Sequence, residues 1–270
     1  MIRVAMAEVS PAVMVLTRLT LGSLLLLPWA MRQGSLGVLK THWKPIICFG
    51  LLEMAFPWAA IGFAEQRISS SLAALLIASV PMINGIIAKQ MKLDLDWNAK
   101  RIIGIAVGLG GVAALVGFDV KADSWWAVAV SMITVIGYAT APILISSKLA
   151  DVPSSGIITL SMIFVALVYV PIVAWQVHND TWHHGAVHAN TWLALAWLGV
   201  VCTAIAFIAF FALIDEIGPI RSSVITYINP AVAVILGVIF LNEHITTGLI
   251  IGFPLVILGS YLATRKPVQA

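Results

Sequence analysis

Charge is what this chain has least of. Only 10% of its 270 residues are Asp, Glu, Lys or Arg, whereas 61% are apolar and the mean hydropathy is +1.02. A soluble domain carries about 25% charged and about 45–50% apolar residues. So little charge cannot cover a water-facing globule, and lipid is the solvent the composition fits. Cysteine is almost missing too. Cys48 and Cys202 both lie inside apolar runs, which argues against a disulfide framework or a zinc site. A cleavable signal is not expected, because only a short apolar stretch separates Arg3 from Glu8. There is no phosphate-binding glycine loop: Gly108, Gly110 and Gly111 sit within an apolar span, so an ATP-driven pump is not expected. The net charge of +3 would hint at nucleic acid in a soluble protein. Here it reflects basic loops, and no nucleic-acid partner is expected.

What the chain does have is long apolar runs. A spanning helix needs about 20 mostly apolar residues to cross a hydrocarbon core about 30 Å thick. Spans are expected at 11–31, 43–63, 69–90, 101–118, 125–147, 154–176, 191–213, 220–241 and 246–264, nine in all. Short connections built on Ser10-Pro11, Val152-Pro153 and Gly218-Pro219 make neighbours antiparallel.

The runs repeat. Gly50, Pro81 and Asp94 recur 149 residues later as Gly199, Pro230 and Glu243, and Gly104 and Gly111 recur 148 later as Gly252 and Gly259. Earlier in each copy, Val9 and Pro28 match Val152 and Pro171 at an offset of 143. A period this long marks a duplicated half-protein rather than a solenoid. The first repeat covers 1–118 and the second 125–264. The counterpart of span 125–147 falls mostly before Met1, so the first helix of a ten-helix design is expected to be largely absent, with Met1 to Ala7 as its last turns.

Lys and Arg set the orientation. One side collects Arg32, Lys40, Lys44, Lys89, Lys92, Lys100, Arg101, Lys148, Arg221, Arg265 and Lys266; the other has Arg67 and Lys121. This bias places the C-terminus in the cytoplasm. An odd number of spans per repeat inverts the two halves, an arrangement found in secondary transporters that bind substrate near the midplane.

The segments "SPAVMVLTRLTLGSLLLLP", "SSSLAALLIASVPMINGII" and "YINPAVAVILGVIFLNEHITTGLIIGFPLVILGSYL" resemble the EamA-type transporters of the drug/metabolite superfamily. The resemblance implies an all-α membrane fold of two inverted five-helix repeats. It also implies a central cavity lined by the third, fourth, eighth and ninth helices with the first and sixth, and export of small metabolites, here amino-acid-like or amphipathic compounds, from a bacterial cytoplasmic membrane.

Within that frame a few residues stand out. Glu53 is a lone acid in the middle of "CFGLLEMAFPWAA". A carboxyl group at that depth is costly unless paired, protonated or wet. It is therefore expected either to meet a substrate amine or couple protons, or to pair with Arg18 in the preceding span. The repeat sets Cys202 opposite Glu53, so the shared scaffold does not itself demand an acid. Pro81 and Pro230 sit at matching points and each frees a backbone carbonyl, which suits a pair of hinges as well as tolerated kinks. Asn84, Tyr227 and Asn229 flank them as substrate ligands or interhelical glue. Trp58 and Tyr138, the latter one turn after Thr134, are candidates for the cavity wall. Trp43, Trp97, Trp125, Trp126, Trp182 and Trp192 fall at span ends and fit an aromatic belt.

The loop "HNDTWHHGAVHAN" holds His178, His183, His184 and His188 but no fixed fourth ligand, so no metal is expected. Glu243 is expected to cap the last helix. No cofactor is expected. Proton or counter-substrate coupling and a homodimer are both compatible with the reading. The alternative function is a membrane-embedded enzyme acting on lipid or lipid-linked substrates; it would need a His, Asp or Ser cluster at one membrane face, and the His cluster of this loop has no nucleophile or carboxylate pair at useful spacing.

Overall fold

A computed structural model describes residues 1–92, 98–119, 124–217 and 225–264, without the side chains of Phe211, Ile214, Asp215, Ile217, Thr226 and Tyr227. Asp94, Trp97, Lys121, Gly218, Pro219, Arg221, Arg265 and Lys266 lie outside the described residues. Among those described the secondary structure is helical, apart from one isolated β-bridge between Val9 and His183.

The helices are α1 (Ile2–Met6), α2 (Pro11–Arg32), α3 (Leu39–Gly50), α4 (Phe56–Ala64), α5 (Ser70–Ile77), α6 (Val80–Gln90), α7 (Ala99–Asp119), α8 (Trp125–Lys148), α9 (Ser154–His178), α10 (Ala189–Gly199), α11 (Ala206–Ile217), α12 (Ile225–Leu241) and α13 (Thr247–Thr264). Eight stretches of helix among the described residues are long and apolar enough to cross a membrane. They match the expected spans, but the second starts at Ser35 rather than 43, because a 3₁₀ turn over Ser35–Val38 leads into α3. The expected span at 220–241 is represented by α12 from Ile225 onward; residues 220–224 lie outside the described residues.

The chain divides into two compact units that do not coincide with the two halves of the sequence. The first contains Met1–Gln66 and Leu144–Ser222, the second Arg67–Ile143 and Ser223–Ala270. Each unit therefore draws on both halves. In the first, α2 packs along α9, the helix 143 residues later in the repeat. They run antiparallel: the Ser10 hydroxyl donates to Gln176 Oε1 at 2.6 Å near one end, and Ser155 Oγ donates to Gln33 Oε1 at 2.5 Å near the other.

In the second unit α7 and α13 form the most extensive contact, also antiparallel and also between repeat equivalents. Glycines set their separation. A Cβ on Gly104 would fall 2.9 Å from the Gly259 carbonyl oxygen, and one on Gly111 would fall 3.0 Å from that of Gly252. The repeat exchanges Gly104 with Gly252 and Gly111 with Gly259, so each contact maps onto the other, as a local two-fold axis between the helices requires.

Three helix N-termini are capped by a carboxylate from elsewhere in the chain. A helix start leaves amide N–H groups unpaired and carries partial positive charge, so an acid there is stabilising. In the first unit Glu8 accepts from His188 N–H (2.8 Å) and the Thr191 hydroxyl (2.7 Å) at the start of α10, and its other oxygen contacts His188 Nδ1 at 2.7 Å. These bonds, the Thr191 hydroxyl foremost, lower the Glu8 carboxyl to about 2.

In the second unit Asp119 takes Gly248 N–H (3.0 Å) and the Thr246 hydroxyl (2.5 Å) at the start of α13. Glu243 takes Ser70 N–H (2.7 Å), Ser71 N–H (3.1 Å) and the Ser71 hydroxyl (2.5 Å) at the start of α5. The expectation that Glu243 caps the last helix is thus corrected. It caps α5, within reach because Gly237 presents no side chain between them, and Asp119 caps the last helix instead.

Candidate functional site

Two helices of the first unit are interrupted in the same way. After Gly50 the chain makes a π turn over Leu51–Ala55, where Phe56 N–H reaches back five residues to the Leu51 carbonyl. After Gly199 it makes another over Val200–Ile205, where Ala206 N–H reaches the Val201 carbonyl. The two turns are repeat equivalents. Such a turn holds one residue too many for α-helical pairing, leaves carbonyls in need of other donors, and recurs at functional sites.

The first turn has a local cause in sequence: Pro57 has no N–H to offer the Glu53 carbonyl. Tyr169, from α9, donates its hydroxyl to the nearby Ala55 carbonyl at 2.8 Å. In the second turn no proline intervenes, and the fully buried Thr203 donates its hydroxyl to the Leu198 carbonyl at 2.8 Å. Gly50 and Gly199 allow each turn to press against a long helix. A Cβ on Gly50 would meet Ser161 Cβ at 3.2 Å on α9, and one on Gly199 would meet Leu21 Cβ at 2.7 Å on α2.

Arg18 is held between these features. Its Nε donates to Thr203 Oγ1 at 2.7 Å and its Nη2 to the Cys202 carbonyl at 3.4 Å, both on the second π turn. Its guanidinium carbon lies 3.6 Å from the centre of the Trp58 ring. A guanidinium over an indole face is attractive, more so where water is scarce. Gly22, one turn along α2, makes this possible: a Cβ there would stand 2.8 Å from the Thr203 methyl. Arg18 itself is half-buried, and Trp58 is only 3% exposed.

The structure thus brings Arg18 and Trp58 together, and adds Thr203 and the Cys202 carbonyl, which sequence reasoning did not single out. The signal for Thr203 was its place beside Cys202, the residue that the repeat sets against Glu53. Glu53 lies in the same unit, half-buried on the first π turn. Under the repeat, Arg18 corresponds to Ser161 at the offset of 143, as Glu53 corresponds to Cys202 at 149. Both ionisable residues therefore stand where the other copy has a small neutral one.

The remaining candidates belong to the second unit. Asn84 donates its amide to the Ala139 carbonyl on α8 at 2.6 Å, which gives it a part in joining α6 to α8. Tyr138 is half-buried beside that carbonyl, and Asn229 is exposed on α12. The Tyr227 side chain lies outside the described residues. The two prolines differ in setting. Pro81 follows a break at Ala78–Ser79 and sits in the first turn of α6, whereas Pro230 lies inside the continuous helix α12. The loop histidines serve the N-terminal segment: His184 N–H donates to the Glu8 carbonyl at 2.7 Å, and His188 meets the Glu8 carboxylate.

Comparison with known proteins supplies the context. The sequence model of the EamA-like transporter family matches residues 1–117 and again 125–265. An uncharacterized inner membrane transporter of Escherichia coli K12, YedA, is 27% identical over 283 residues, covering 100% of this chain and 89% of its own. A probable terminal-alkyne amino-acid exporter of Streptantibioticus cattleyicolor is 25% identical over 274 residues, covering 98% of this chain and 88% of its own. A solved crystal structure shares the fold, with a TM-score of 0.67 at 18% identity over 96% of this chain and 89% of that one.

Proposed function

The chain belongs to the EamA-like transporter family, and from that premise we propose that it is a secondary transporter exporting small amino-acid-like or amphipathic metabolites by alternating access. Membership makes it a multi-pass membrane transporter of small molecules rather than an enzyme. The finer reading is ours: two inverted five-helix repeats over 1–118 and 125–264, in a bacterial cytoplasmic membrane with the C-terminus inside. Glu53 serves substrate binding or proton coupling, Trp58, Asn84, Tyr138, Tyr227 and Asn229 serve the solute path, and Pro81 and Pro230 are points of bending.

The observation that carries this reading is the crossed glycine contact of α7 with α13. Helices equivalent in sequence run antiparallel and exchange Gly104–Gly259 with Gly111–Gly252, which is what oppositely inserted repeats would give. The likeness to an amino-acid exporter supports the choice of solute class. The lysine and arginine bias supports the orientation.

The test is efflux. Cells overproducing the chain should accumulate less of a toxic amino-acid analogue and grow at higher concentrations of it. Proteoliposomes should exchange labelled amino acids in counterflow. Increased accumulation would reverse the proposed direction, and flux no greater than in empty liposomes would remove the transport reading. Unchanged coupling in Glu53→Gln would take that residue out of the mechanism.

A further inference from the structure

We propose that the bend joining α2 to α3 is a receptor for the headgroup of an anionic phospholipid, held by Arg32, Lys40 and Lys44. The inference depends on the membrane fold and not on the solute or direction of transport.

Charge is the first reason. The bend carries three cations between positions 32 and 44, while no Asp or Glu occurs between Glu8 and Glu53. All three side chains are exposed, and among the described residues none is paired with a carboxylate. Lys44 lies over the Trp43 ring, its Nζ 5.4 Å from the centre, a contact that leaves its charge in place. At the same end of the unit, Lys148 and Asp151 are both exposed and offset one another.

Depth is the second. The helical stretch Ser35–Ala64 has 30 residues, whereas a crossing needs about 20. The part from Pro45 to Ala64 contains no Lys or Arg. Lys40 and Lys44 therefore fall at the level of the lipid phosphates rather than in the hydrocarbon. Trp43, 49% exposed, is the residue type that favours that level. One turn deeper Ile47 is half-buried and Cys48 exposed, so an acyl chain can continue along α3 from the headgroup.

The third reason is that the backbone is held. Gly34 turns the chain out of α2 with a φ of 64°. The 3₁₀ turn Ser35–Val38 packs on α9, where Ser155 Oγ meets Gln33 Oε1 at 2.5 Å and Ser35 Oγ at 3.0 Å. The cations are thus presented from a fixed bend, not from a loose tether.

The repeat supplies the contrast. Gln33 and Gln176 correspond at the offset of 143, and each accepts from a serine. Trp43 and Trp192 correspond at 149. The other copy keeps this shape but has Trp175, Ala189 and Leu193 in place of Arg32, Lys40 and Lys44. The fold itself therefore does not require the charges.

The full chain in detergent is titrated with phosphatidylglycerol and with phosphatidylcholine of the same acyl chains, and bound lipid is counted by native mass spectrometry. Phosphatidylglycerol should bind at least about 10-fold tighter, since each cation near an anionic headgroup adds about 5-fold. Lys40→Gln with Lys44→Gln should weaken it about 25-fold and leave phosphatidylcholine unchanged. Lys40→Arg with Lys44→Arg should retain the preference, and circular dichroism checks that each variant is folded. Lys92→Gln with Lys100→Gln removes the same charge from exposed positions of the second unit and should change nothing. An equal loss in that control means diffuse surface charge and overturns the proposal. So does equal affinity for the two lipids in the wild type, or a full preference in the folded Lys40→Gln and Lys44→Gln variant. Displacement of the lipid by an equal concentration of glycerol 3-phosphate overturns it as well, because a soluble phosphate ester is then the ligand.

Discussion

The contact of α7 with α13 makes a sharp prediction because backbone, not side chain, closes it. A Cβ on Gly259 would lie 2.3 Å from both Cα and N of Gly108 and 2.6 Å from the Gly104 carbonyl oxygen. Ordinary contact begins at 3.4 Å, so Gly259→Ala forces the helices apart by about 1 Å, and no rotamer change can relieve it. Overpacking of this kind costs about 1–3 kcal/mol, against a gain of up to about 1 kcal/mol from the helix propensity of alanine. The net expectation is a loss of about 1–2 kcal/mol.

Gly110→Ala, on the same helix pair, is the internal control: nothing stands within 4 Å of its Cβ, so it should be neutral or slightly stabilising. Gly111→Ala should fall between them, since its Cβ would meet the Val256 nitrogen at 2.8 Å and the Gly252 oxygen at 3.0 Å. Equilibrium unfolding in mixed micelles, followed by circular dichroism, gives the three values. The reasoning fails if Gly259→Ala is as stable as wild type, or if Gly110→Ala loses as much.

Two further predictions concern the carboxylate caps. Because the Glu8 carboxyl is lowered to about 2 from its ordinary 4.5, its contribution to stability is complete above about pH 4.5 and disappears as pH falls from there through about 2. Thermal denaturation against pH should therefore steepen in that window for the wild type and less so for Glu8→Gln; parallel profiles would disprove the assignment. Glu243→Gln keeps one acceptor for Ser70 N–H but loses the second oxygen that serves Ser71. It should cost about 0.5–2 kcal/mol and accelerate amide exchange at Ser70 and Ser71, while exchange in α13 stays unchanged. Acceleration confined to α13 would restore the expectation that Glu243 caps the last helix.

Most of the architecture was legible because it is written in composition and period. Apolar runs of spanning length can only be helices in lipid, and the spacing of Gly50, Gly104 and Gly111 against their later copies exposed the duplication. What the linear sequence did not carry was partnership. Glu243 and Asp119 are both acids beside an apolar run, and nothing in their neighbourhoods says which helix start each will reach. The break before Pro81 and the unbroken α12 at Pro230 show the same limit, since one motif meets two settings. The π turn after Gly50 had a visible cause in Pro57, whereas the one after Gly199 depends on the Thr203 hydroxyl reaching Leu198, a choice among several polar residues that only the fold makes.

The duplication also separates scaffold from chemistry. What both copies keep is geometry: glycines at the helix crossings, a π turn after Gly50 and Gly199, and antiparallel contact between equivalent helices. A feature retained in both orientations serves the assembly whichever way a half faces. Arg18 and Glu53 do not obey the symmetry, for Ser161 and Cys202 replace them, and the same helical positions pack without charge. A half-buried ionisable group that its repeat equivalent does without is retained for something else, because exchanging it for a neutral residue would lessen the desolvation cost. That reasoning makes the symmetry-breaking pair the place to look for selectivity, and it predicts an asymmetry of outcome. Ser161→Ala should alter stability alone, through loss of one hydrogen bond to Ile46, whereas Glu53→Gln should alter transport or its coupling.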